Sequence, residues 1–591
     1  MASRSAYSGD TRRLVLAFDV GTTFSGISYS VLDPGEVPEI KGVMKFPYQE
    51  IISGSFKVPS VIWYDAGGNV QAIGAGALRD GIEQEAEDGQ WSKVEWFKLY
   101  LRPKHLGNEE VFQFAERIPL PASKTIVEVF SDFFSYLYQS AKAYIQEHQP
   151  SGHSLWSSVE PSIEFILSHP NGWEGAQQSQ MRDAAITAGL IPDTQSGRDR
   201  IHFVTEGEAS LHFCISKGLM IEAIKDGGRV MIVDAGGGTI DISTYEKVKD
   251  TKAYEEVARP QCILRGSVFV SQYAKKFLEE YFHDSSFSHD VPEMVKAFDK
   301  STKLRFRRIQ DAAFIKFGSS RDNDPAHNIR SGQLKLKGEV IATFFTASVD
   351  GIIGAILEHR QKHNISAVFL VGGFAASDWV FDRVQAALQH FNIELSRPDS
   401  HINKAVADGA VSFYLDRFVS ARISRHVYGM RVHVAYDPLN KEHASRKHKK
   451  FVNMTGDERV RDGFSTILPR GARVTETQEF KSLYFQESRS KDSLQKLNEH
   501  VFCYKGPLDN PKWVDENKDD FEEMCIIQAD ISMAMKGITP RQGKDGQTFY
   551  ILYYHVALLF GLTEFKAQLC WTENGVERRG PIRVIYNKGD T

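Results

Sequence analysis

Two short apolar runs, far apart in the chain, have the pattern of buried strands. They are Leu14–Phe18 and Val230–Val233. Each is followed by a glycine–threonine turn and then by a second run in which apolar and polar residues alternate, Gly26–Val31 and Ile240–Tyr245. Short apolar runs bounded by turn residues predict buried strands, and alternation predicts a strand with one buried face. The pattern therefore predicts the same strand–turn–strand unit twice.

The two turns share an opening aspartate and a glycine–threonine core. The first reads Asp19-Val20-Gly21-Thr22-Thr23, and the second reads Asp234-Ala235-Gly236-Gly237-Gly238-Thr239. Glycine lets a backbone approach a ligand closely, and successive N–H groups of such a turn can hold phosphate oxygens. A carboxylate at the strand end can hold magnesium through its water molecules. Either turn alone fits an ordinary hairpin, but two copies in matching strand contexts favour a pair of phosphate-binding turns.

Between Leu14 and about Ala421 the apolar pattern alternates between strand and helix periods, which predicts an α/β architecture. Apolar residues at helical spacing from Ile126 to Ile145 predict one clear helix whose stripe packs in the core. Two polar stretches, Asp80–Asp88 and Arg321–Ser331, are typical of surface loops.

The pattern changes after Arg422, where short strand signals separated by polar loops dominate. These signals lie at residues 431–436, 464–468, 501–504, 526–531, 549–560 and 582–586. Many short, closely spaced strands predict a β-rich domain, and a sandwich is the favoured form. The sequence thus predicts a flexible polar tail over residues 1–13, an α/β domain over 14–422 and a β-rich domain over 423–591.

Composition narrows the class of protein. The 591 residues are 42% apolar and 25% charged, which is typical of a soluble globular chain with more than one domain. A net charge of −5 gives no general attraction to nucleic acid. The basic cluster Arg446–Lys450 lacks interleaved aromatic residues, so a solvated loop is favoured over a nucleic-acid patch.

Compartment follows from the cysteines and the apolar runs. Five scattered cysteines without paired metal spacing indicate a reducing compartment. The longest apolar run, Phe549–Phe560, is shorter than the roughly 20 residues that span a bilayer. We expect a cytoplasmic, alternatively nuclear, protein without a membrane span.

A third glycine turn, Gly372-Gly373, follows the apolar run Ala367–Val371, and its backbone could lie flat against a nucleoside. Two further segments, Met181–Leu190 and Lys404–Tyr414, carry small residues at close spacing. Small side chains let helices cross at short distance. Such a crossing is either a hinge between two lobes or ordinary packing within one lobe.

In this order the motifs resemble those of the actin-like ATPase superfamily and, within it, the seventy-kilodalton heat-shock chaperones. The resemblance is carried by Phe18–Ser25, Arg182–Leu190, Val204–Ala209, Val233–Asp241, Leu370–Gly373 and Lys404–Ala410. It implies an α/β, two-lobed actin-like ATPase domain (a duplicated ribonuclease H-like fold) followed by a β-rich C-terminal domain without a helical lid.

The resemblance also implies a site that binds ATP or ADP with magnesium. Asp19 and Asp234 would hold the metal through water. Contacts to the nucleotide would come from Gly21, Thr22, Thr23, Gly236, Gly237, Gly238, Asp241, Lys303, Gly372 and Gly373. Catalytic roles would fall to Lys98 at the γ-phosphate, to Glu206, which would orient a magnesium-bound water, to Asp234 and to Thr239. Taken singly, Lys98 is typical of a surface lysine that extends its charge into water.

Three features depart from the family pattern. Gly207 stands where the family has proline, Phe374–Ser377 lacks the arginine that stacks on adenine, and no apolar linker is visible around Asp416–Tyr428. The expected function is that of an ATP-hydrolysing, chaperone-like protein with protein clients and co-chaperones. A nucleotide-dependent scaffold with negligible turnover remains an alternative, and a small-molecule kinase of the same fold is less favoured.

Overall fold

The computed structural model describes residues 4–49, 56–103, 120–121, 123–173, 175–219, 227–398, 402–561, 564–573, 575–580 and 584–585. The chain divides into two units, Met1–Trp173 with Gln180–Val419, and Ser420–Thr591 with Glu174–Ser179. Each unit has hydrophobic clusters of its own. One expected strand, at residues 582–586, lies largely outside the described residues.

The first unit is built from strands and helices in alternation. Its strands are β1 (Arg13–Asp19), β2 (Phe24–Leu32), β3 (Lys41–Gly42), β4 (Val58–Pro59), β5 (Val61–Tyr64), β6 (Val70–Ile73), β7 (Ser92–Glu95), β8 (Glu164–His169), β9 (Ile201–Thr205), β10 (Arg229–Ala235), β11 (Ile240–Lys247), β12 (Tyr254–Glu256), β13 (Gln261–Ile263), β14 (Ala313–Lys316), β15 (Ile329–Arg330), β16 (Gln333–Leu336), β17 (Ile365–Val371) and β18 (Glu394–Ser396). Its helices are α1 (Ile82–Asp88), α2 (Ile126–His148), α3 (Gly152–Val159), α4 (Gly175–Thr187), α5 (Gln195–Arg198), α6 (Glu206–Ser216), α7 (Ser267–Tyr281), α8 (Val291–Ala297), α9 (Lys303–Arg305), α10 (Gly338–Lys362), α11 (Asp378–Gln389) and α12 (Ala405–Asp416).

Two sheets of the first unit repeat one topology. In the first sheet the order is β3-β2-β1-β8-β9, with β1 antiparallel to β2 and parallel to β8. In the second, the strands of this unit include the order β18-β17-β10-β11-β12, with β10 antiparallel to β11 and parallel to β17. The central strands β1 and β10 are buried along almost their whole length, which explains their continuous apolar runs. The mixed α/β architecture is confirmed, whereas the arrangement as two lobes stays a prediction.

Helix α2 is the predicted amphipathic helix and begins at a capping box. The Thr125 side chain accepts from the Glu128 N–H, and the Glu128 carboxylate accepts from the Thr125 N–H at 2.8 Å. Its buried face includes Phe130, Phe133 and Phe134, which belong to the core cluster of the first sheet. The expected core stripe is therefore present.

The acidic stretch Asp80–Asp88 was expected as a loop, and that expectation is wrong. Helix α1 occupies Ile82–Asp88 because Ile82 and Ala86, four residues apart, share a buried face. The stretch Arg321–Ser331 is mostly exposed turn, as expected, but its last part enters strand β15.

Helices α6 and α12 cross in close contact. A Cβ at Gly409 in α12 would overlap the backbone carbonyl of Ala209 in α6, so glycine is required at this crossing. Helix α12 also reaches the first sheet, where the Ser28 hydroxyl donates to Asp408 at 2.6 Å. For Met181–Leu190 the ordinary-packing alternative holds, since Ala184 lies in the core of the first sheet.

We expect Gly409→Val to lower the free energy of unfolding by about 3 kcal/mol, because the added side chain collides with backbone that cannot move aside alone. Chemical denaturation of wild type and variant measures the change. Gly354→Val is the matched control, because a Cβ at that exposed helical glycine meets nothing within 4 Å. Equal losses in both variants would contradict the close crossing.

Among the described residues, one helix, α10, is long and apolar enough to cross a membrane by length and composition alone. Its residues Phe345, Ile352 and Ile356 are buried in the core of the second sheet. The core helix of a soluble protein can have the same length and apolar composition as a membrane span.

The second unit consists mainly of antiparallel strands. They are β19 (Val419–Ile423), β20 (Val427–Ala435), β21 (Lys450–Val452), β22 (Glu458–Leu468), β23 (Arg473–Thr475), β24 (Glu479–Ser488), β25 (Lys496–Tyr504), β26 (Phe521–Asp530), β27 (Arg541–Gln542), β28 (Thr548–Gly561), β29 (Glu564–Glu573), β30 (Val576–Arg579) and β31 (Val584–Ile585). Two short helices, α13 (Lys441–Ser445) and α14 (Ser532–Met535), interrupt them.

Two sheets of this unit pack on one core. The strand orders are β21-β22-β20-β25-β26-β31 and β24-β28-β29-β30, and the core cluster takes Val501 and Ile527 from the first and Val556 and Leu569 from the second. Alternation along these strands directs one face inward.

The basic cluster Arg446–Lys450 differs from the expected solvated loop. Arg446 is buried, lies over the Trp513 ring at 4.1 Å and pairs with Asp515 at 3.1 Å. Lys449 pairs with Asp462 at 2.7 Å. Internal acids therefore neutralise much of the cluster, which leaves little charge for an external anion.

Candidate functional site

The two glycine–threonine turns face each other within the first unit. A Cβ at Gly237 would lie 2.5 Å from the Thr23 hydroxyl oxygen, and a Cβ at Gly238 would overlap the Thr22 hydroxyl. Only glycine leaves room for this approach. Because β1 and β10 are each the buried centre of a sheet, the turns that follow them are rigidly placed.

The backbone carbonyls of the second turn accept hydrogen bonds from N–H groups at the start of helix α7. The carbonyls of Gly236, Gly237 and Gly238 accept from the N–H groups of Ser267 at 3.1 Å, Val268 at 2.9 Å and Gly266 at 3.1 Å. In the part of the chain that the structure describes, no acceptor pairs with the N–H groups of Gly237 and Gly238. These N–H groups are the donors that an anion could use.

The first turn is held in a similar way by the segment after β4. The Ser60 hydroxyl donates to the Gly21 carbonyl at 2.8 Å, and the Ser60 N–H donates to the Thr23 carbonyl at 2.9 Å. A Cβ at Gly21 would overlap the Phe24 carbonyl, so glycine is required here too. Both turns therefore present N–H groups and threonine hydroxyls from a fixed backbone.

Four buried carboxylates surround the turns. Asp19 and Asp234 lie at the ends of β1 and β10, Asp241 is the register partner of Asp234 in β11, and Glu206 begins helix α6. Their exposed fractions are 3%, 4%, 0% and 7% for Asp19, Asp234, Asp241 and Glu206. Burial of so many acids is costly unless cations or hydrogen bonds compensate them.

Hydroxyl and backbone donors satisfy part of this charge. Ser210 donates to Asp234 at 2.8 Å, and Ser168 donates to Asp19 at 3.2 Å. The Asn171 N–H donates to Asp241 at 2.5 Å, but the second oxygen of Asp241 has no partner among the described residues. Sequence reasoning missed these serines and Asn171, because nothing in their local pattern marks them as neighbours of the turns.

Two lysines supply positive charge. Lys98 lies on the short helical turn Phe97–Leu101, is buried, and forms an ion pair with Glu206. Phe97 packs on Phe130 of helix α2 with ring centroids 5.1 Å apart, and this contact holds the turn in place. The reading of Lys98 as an exposed surface lysine is therefore wrong.

The second lysine, Lys57, was not predicted. Its ammonium donates to Asp19 at 2.6 Å from the residue that precedes β4. No chemical motif surrounds Lys57 in the sequence, and only the pairing of β4 with β2 brings it beside the first turn.

Burial, then the neighbouring Glu206 and Asp19, raises the pKa of Asp234 to about 7. Burial and the same crowding raise the pKa of Glu206 and of Asp241. Burial lowers the pKa of Lys98, but Glu206 and Asp19 outweigh it, and the net shift is upward. The site thus holds more negative charge than its lysines can neutralise.

This crowding predicts a pH dependence of stability in metal-free, nucleotide-free buffer. The folded pKa of Asp234 lies above its ordinary value of 3.8, so the unfolded chain releases this proton first as pH rises. The stabilisation that follows from the raised pKa of Asp234 is complete below about pH 4 and is lost by about pH 7. We expect the stability of wild type to fall with pH more steeply than that of Asp234→Asn, by about 1 kcal/mol per pH unit between about pH 5 and about pH 7. Denaturation across this range measures both slopes, with exposed Asp193→Asn as control; parallel slopes for wild type and Asp234→Asn would contradict the prediction.

The third glycine turn adjoins the second. Gly372 has φ +89°, and a Cβ there would overlap the Asp234 carboxylate, whereas Gly373 is exposed with open space beside it. Lys303 is buried, pairs with Asp299 and donates to Ser271 of helix α7 at 3.2 Å. No described contact joins Lys303 to the glycine pair. The structure therefore brings Gly372 to the acidic cluster, and it bonds Lys303 to helix α7, whose first N–H groups donate to the second turn.

Gly207 and Thr239 both lie in segments that carry the family resemblance. A Cβ at Gly207 would overlap the Ser243 hydroxyl, which explains why proline is absent after Glu206. Thr239 is buried and its hydroxyl opposes the rise in the pKa of Asp241, so it lies inside the cluster. Among the described residues, no group of three or more His, Cys, Asp or Glu side chains is arranged to ligate a metal directly. Binding of magnesium through water at Asp19 and Asp234 stays a prediction.

Comparison with known proteins identifies relatives of this chain. No protein-family model matches it. Heat shock 70 kDa protein 12B of Homo sapiens is 21% identical over 502 residues, covering 71% of this chain and 71% of the relative. Heat shock 70 kDa protein 12A of Mus musculus and of Homo sapiens are each 21% identical over 504 residues, covering 71% of this chain and 72% of each relative. Together with the motifs and their arrangement, these similarities make the chain a distant relative of the Heat shock 70 kDa proteins 12A and 12B.

Proposed function

We propose that this chain binds ATP with magnesium in its first unit, hydrolyses it, and acts as a chaperone-like protein. The observation that supports this most directly is the meeting of Gly237 and Gly238 with Thr22 and Thr23 beside four buried carboxylates. Distant similarity to the Heat shock 70 kDa proteins 12A and 12B supports a nucleotide-binding role.

Phosphate binding falls to the two turns. The N–H groups of Gly237 and Gly238 and the hydroxyls of Thr22 and Thr23 lie within one small region. Turn amides and hydroxyls are suited to phosphate oxygens because they donate without bringing a side chain between ligand and backbone. Gly21, Gly236 and Thr239 complete the turns.

Magnesium fits the chemistry of the site. Four carboxylates and two lysines leave two excess negative charges when all are ionised, and one oxygen of Asp241 lacks a partner. Carboxylates holding metal-bound water are a usual magnesium environment. Asp19 and Asp234 would hold it, and the bound ion would neutralise the phosphates and activate them for attack.

Turnover would depend on Lys98 and Glu206. Their ion pair places one cation and one carboxylate together next to the turns. The lysine would balance charge on the γ-phosphate, and the carboxylate would orient an attacking water. On the nucleoside side, Gly372 and Gly373 would offer flat backbone, and Lys303 would border the base.

Calorimetric titration of the full chain with ATP and magnesium tests the proposal. We expect one site per chain, with weaker binding in Asp234→Ala, because that variant lacks a metal-holding carboxylate. Absence of binding by wild type would overturn the proposal. Binding without any turnover would favour the scaffold alternative.

The second unit offers a place for protein clients. A groove of about 1230 Å³ lies among β20, β21, β22 and β24. Leu483 and Phe485 line it and are exposed, and the Arg459 guanidinium lies 5.6 Å from the Phe485 ring centroid. At the groove wall the buried Glu499 carboxylate accepts from Tyr554 at 2.6 Å. Exposed apolar side chains in a groove suit an extended client segment with apolar side chains.

We expect Leu483→Asp to weaken binding of a fluorescent, leucine- and phenylalanine-rich peptide by about tenfold or more, because it places a charge in the apolar groove. Fluorescence anisotropy measures the affinity. Leu439→Asp is the matched control, since Leu439 is 91% exposed and outside the groove lining. Equal affinities of Leu483→Asp and wild type would remove the groove from the proposal.

A further inference from the structure

Lys57 lies beside the first turn and forms an ion pair with Asp19, one of the carboxylates that would hold magnesium. Its ammonium is 2.6 Å from the Asp19 Oδ2 atom, and the two side chains are 14% and 4% exposed. The other oxygen of Asp19 accepts from Ser168 at 3.2 Å. Each oxygen of Asp19 therefore already accepts a hydrogen bond.

The position of Lys57 is fixed by its surroundings. Its side chain passes along Gly26 in β2, where a Cβ would lie 3.4 Å from the Lys57 Cγ atom. The Gln49 side chain donates to the Lys57 carbonyl at 3.0 Å, and the next residue, Val58, pairs with Ser25. The lysine is thus directed at Asp19 by strand pairing.

The charge of Lys57 reaches beyond Asp19. It opposes the rise in the pKa of Glu206 and of Asp234, although burial and the other acids dominate at both groups. Three of the four acids in the cluster therefore interact with this ammonium. Lys98, in contrast, is paired with Glu206.

We propose that Lys57 is a built-in cation that competes with magnesium for Asp19, so that this protein retains nucleotide when magnesium is absent. The inference rests on the proposed nucleotide site. The ammonium already bonds Asp19 and neutralises its charge, so Asp19 attracts a metal-bound water less strongly and the site depends less on the metal. Without metal, the ammonium still offsets the repulsion between the carboxylates and the phosphates.

The test compares ADP affinity with magnesium and with a chelator, by calorimetry, in wild type, Lys57→Met and Lys57→Arg. We expect the chelator to weaken wild-type binding by less than about tenfold. In Lys57→Met the loss on chelation grows by a further factor of about ten, and Lys57→Arg stays near wild type because it keeps the charge. Lys41→Met, an exposed lysine on β3 of the same sheet, is the control and leaves the ratio unchanged.

Two outcomes overturn the inference alone. One is a ratio for Lys57→Met within about twofold of wild type, and the other is a loss above about a hundredfold when the chelator is added to wild type. The chelator titration of wild type needs no variant, so it tests the inference even if Lys57→Met does not fold. If wild type binds ADP under neither condition, the proposed function fails and this inference fails with it.

Discussion

The Gly237→Val variant is expected to bind ATP at least about a hundredfold more weakly than wild type. A Cβ at this position lies 2.5 Å from the Thr23 hydroxyl oxygen, and valine adds two further methyl groups. The two turns must then separate, which moves the N–H groups of one turn away from the hydroxyls of the other. The strands that precede them, β1 and β10, are buried in their sheets, so the hydrophobic cores need not be disturbed.

Calorimetric titration with ATP and magnesium measures the loss, and thermal unfolding shows whether the variant is folded. Gly537→Val is the matched control, because this exposed glycine lies in the second unit and a Cβ there meets only a carbonyl 3.8 Å away. Undiminished ATP binding by a folded Gly237→Val would show that the second turn does not contact phosphate.

The Lys98→Met variant is expected to lose ATP turnover by about a hundredfold or more while it still binds nucleotide. Methionine keeps the volume of the side chain but removes the charge paired with Glu206. If Lys98 balances charge that develops on the γ-phosphate, the loss falls on the chemical step more than on binding. Steady-state phosphate release and ATP titration separate the two effects.

Lys142→Met is a close control for this change. Lys142 pairs with Glu160 at 3.0 Å and lies 5.6 Å from the Trp156 ring centroid, as Lys98 pairs with Glu206 and lies 5.8 Å from the Trp173 ring centroid. Lys142 is far more exposed and lies outside the site. Equal turnover in Lys98→Met and wild type would contradict the catalytic role, and absent turnover in both would favour the scaffold alternative.

Much of the fold was predictable because local patterns and burial agree. Apolar runs of strand length predicted β1 and β10, and apolar residues at helical spacing predicted α2. The acidic stretch Asp80–Asp88 was mispredicted because its charges hid a two-residue apolar face, Ile82 and Ala86, that only packing reveals. For the basic cluster near Arg446, the acids that neutralise it are distant in sequence.

The residues of the candidate site also fall into a group that the sequence predicts and a group that it does not. Its glycines and threonines were predictable because the turns are contiguous in the chain and their chemistry depends on backbone freedom. Lys57, Ser168, Asn171 and Ser210 were not, because each reaches an aspartate from a separate element. No local pattern encodes such a contact.

By itself, the sequence determined the duplicated strand–turn–strand units, the mixed α/β class and the resemblance to heat-shock chaperones, since short-range spacing and glycine positions carry that information. Only the tertiary structure decided that the turns meet, that Lys98 is buried against Glu206, and that Lys57 forms an ion pair with Asp19. The reason is physical: the energy of a buried charge depends on which groups surround it in space, and strand pairing between distant segments sets those surroundings.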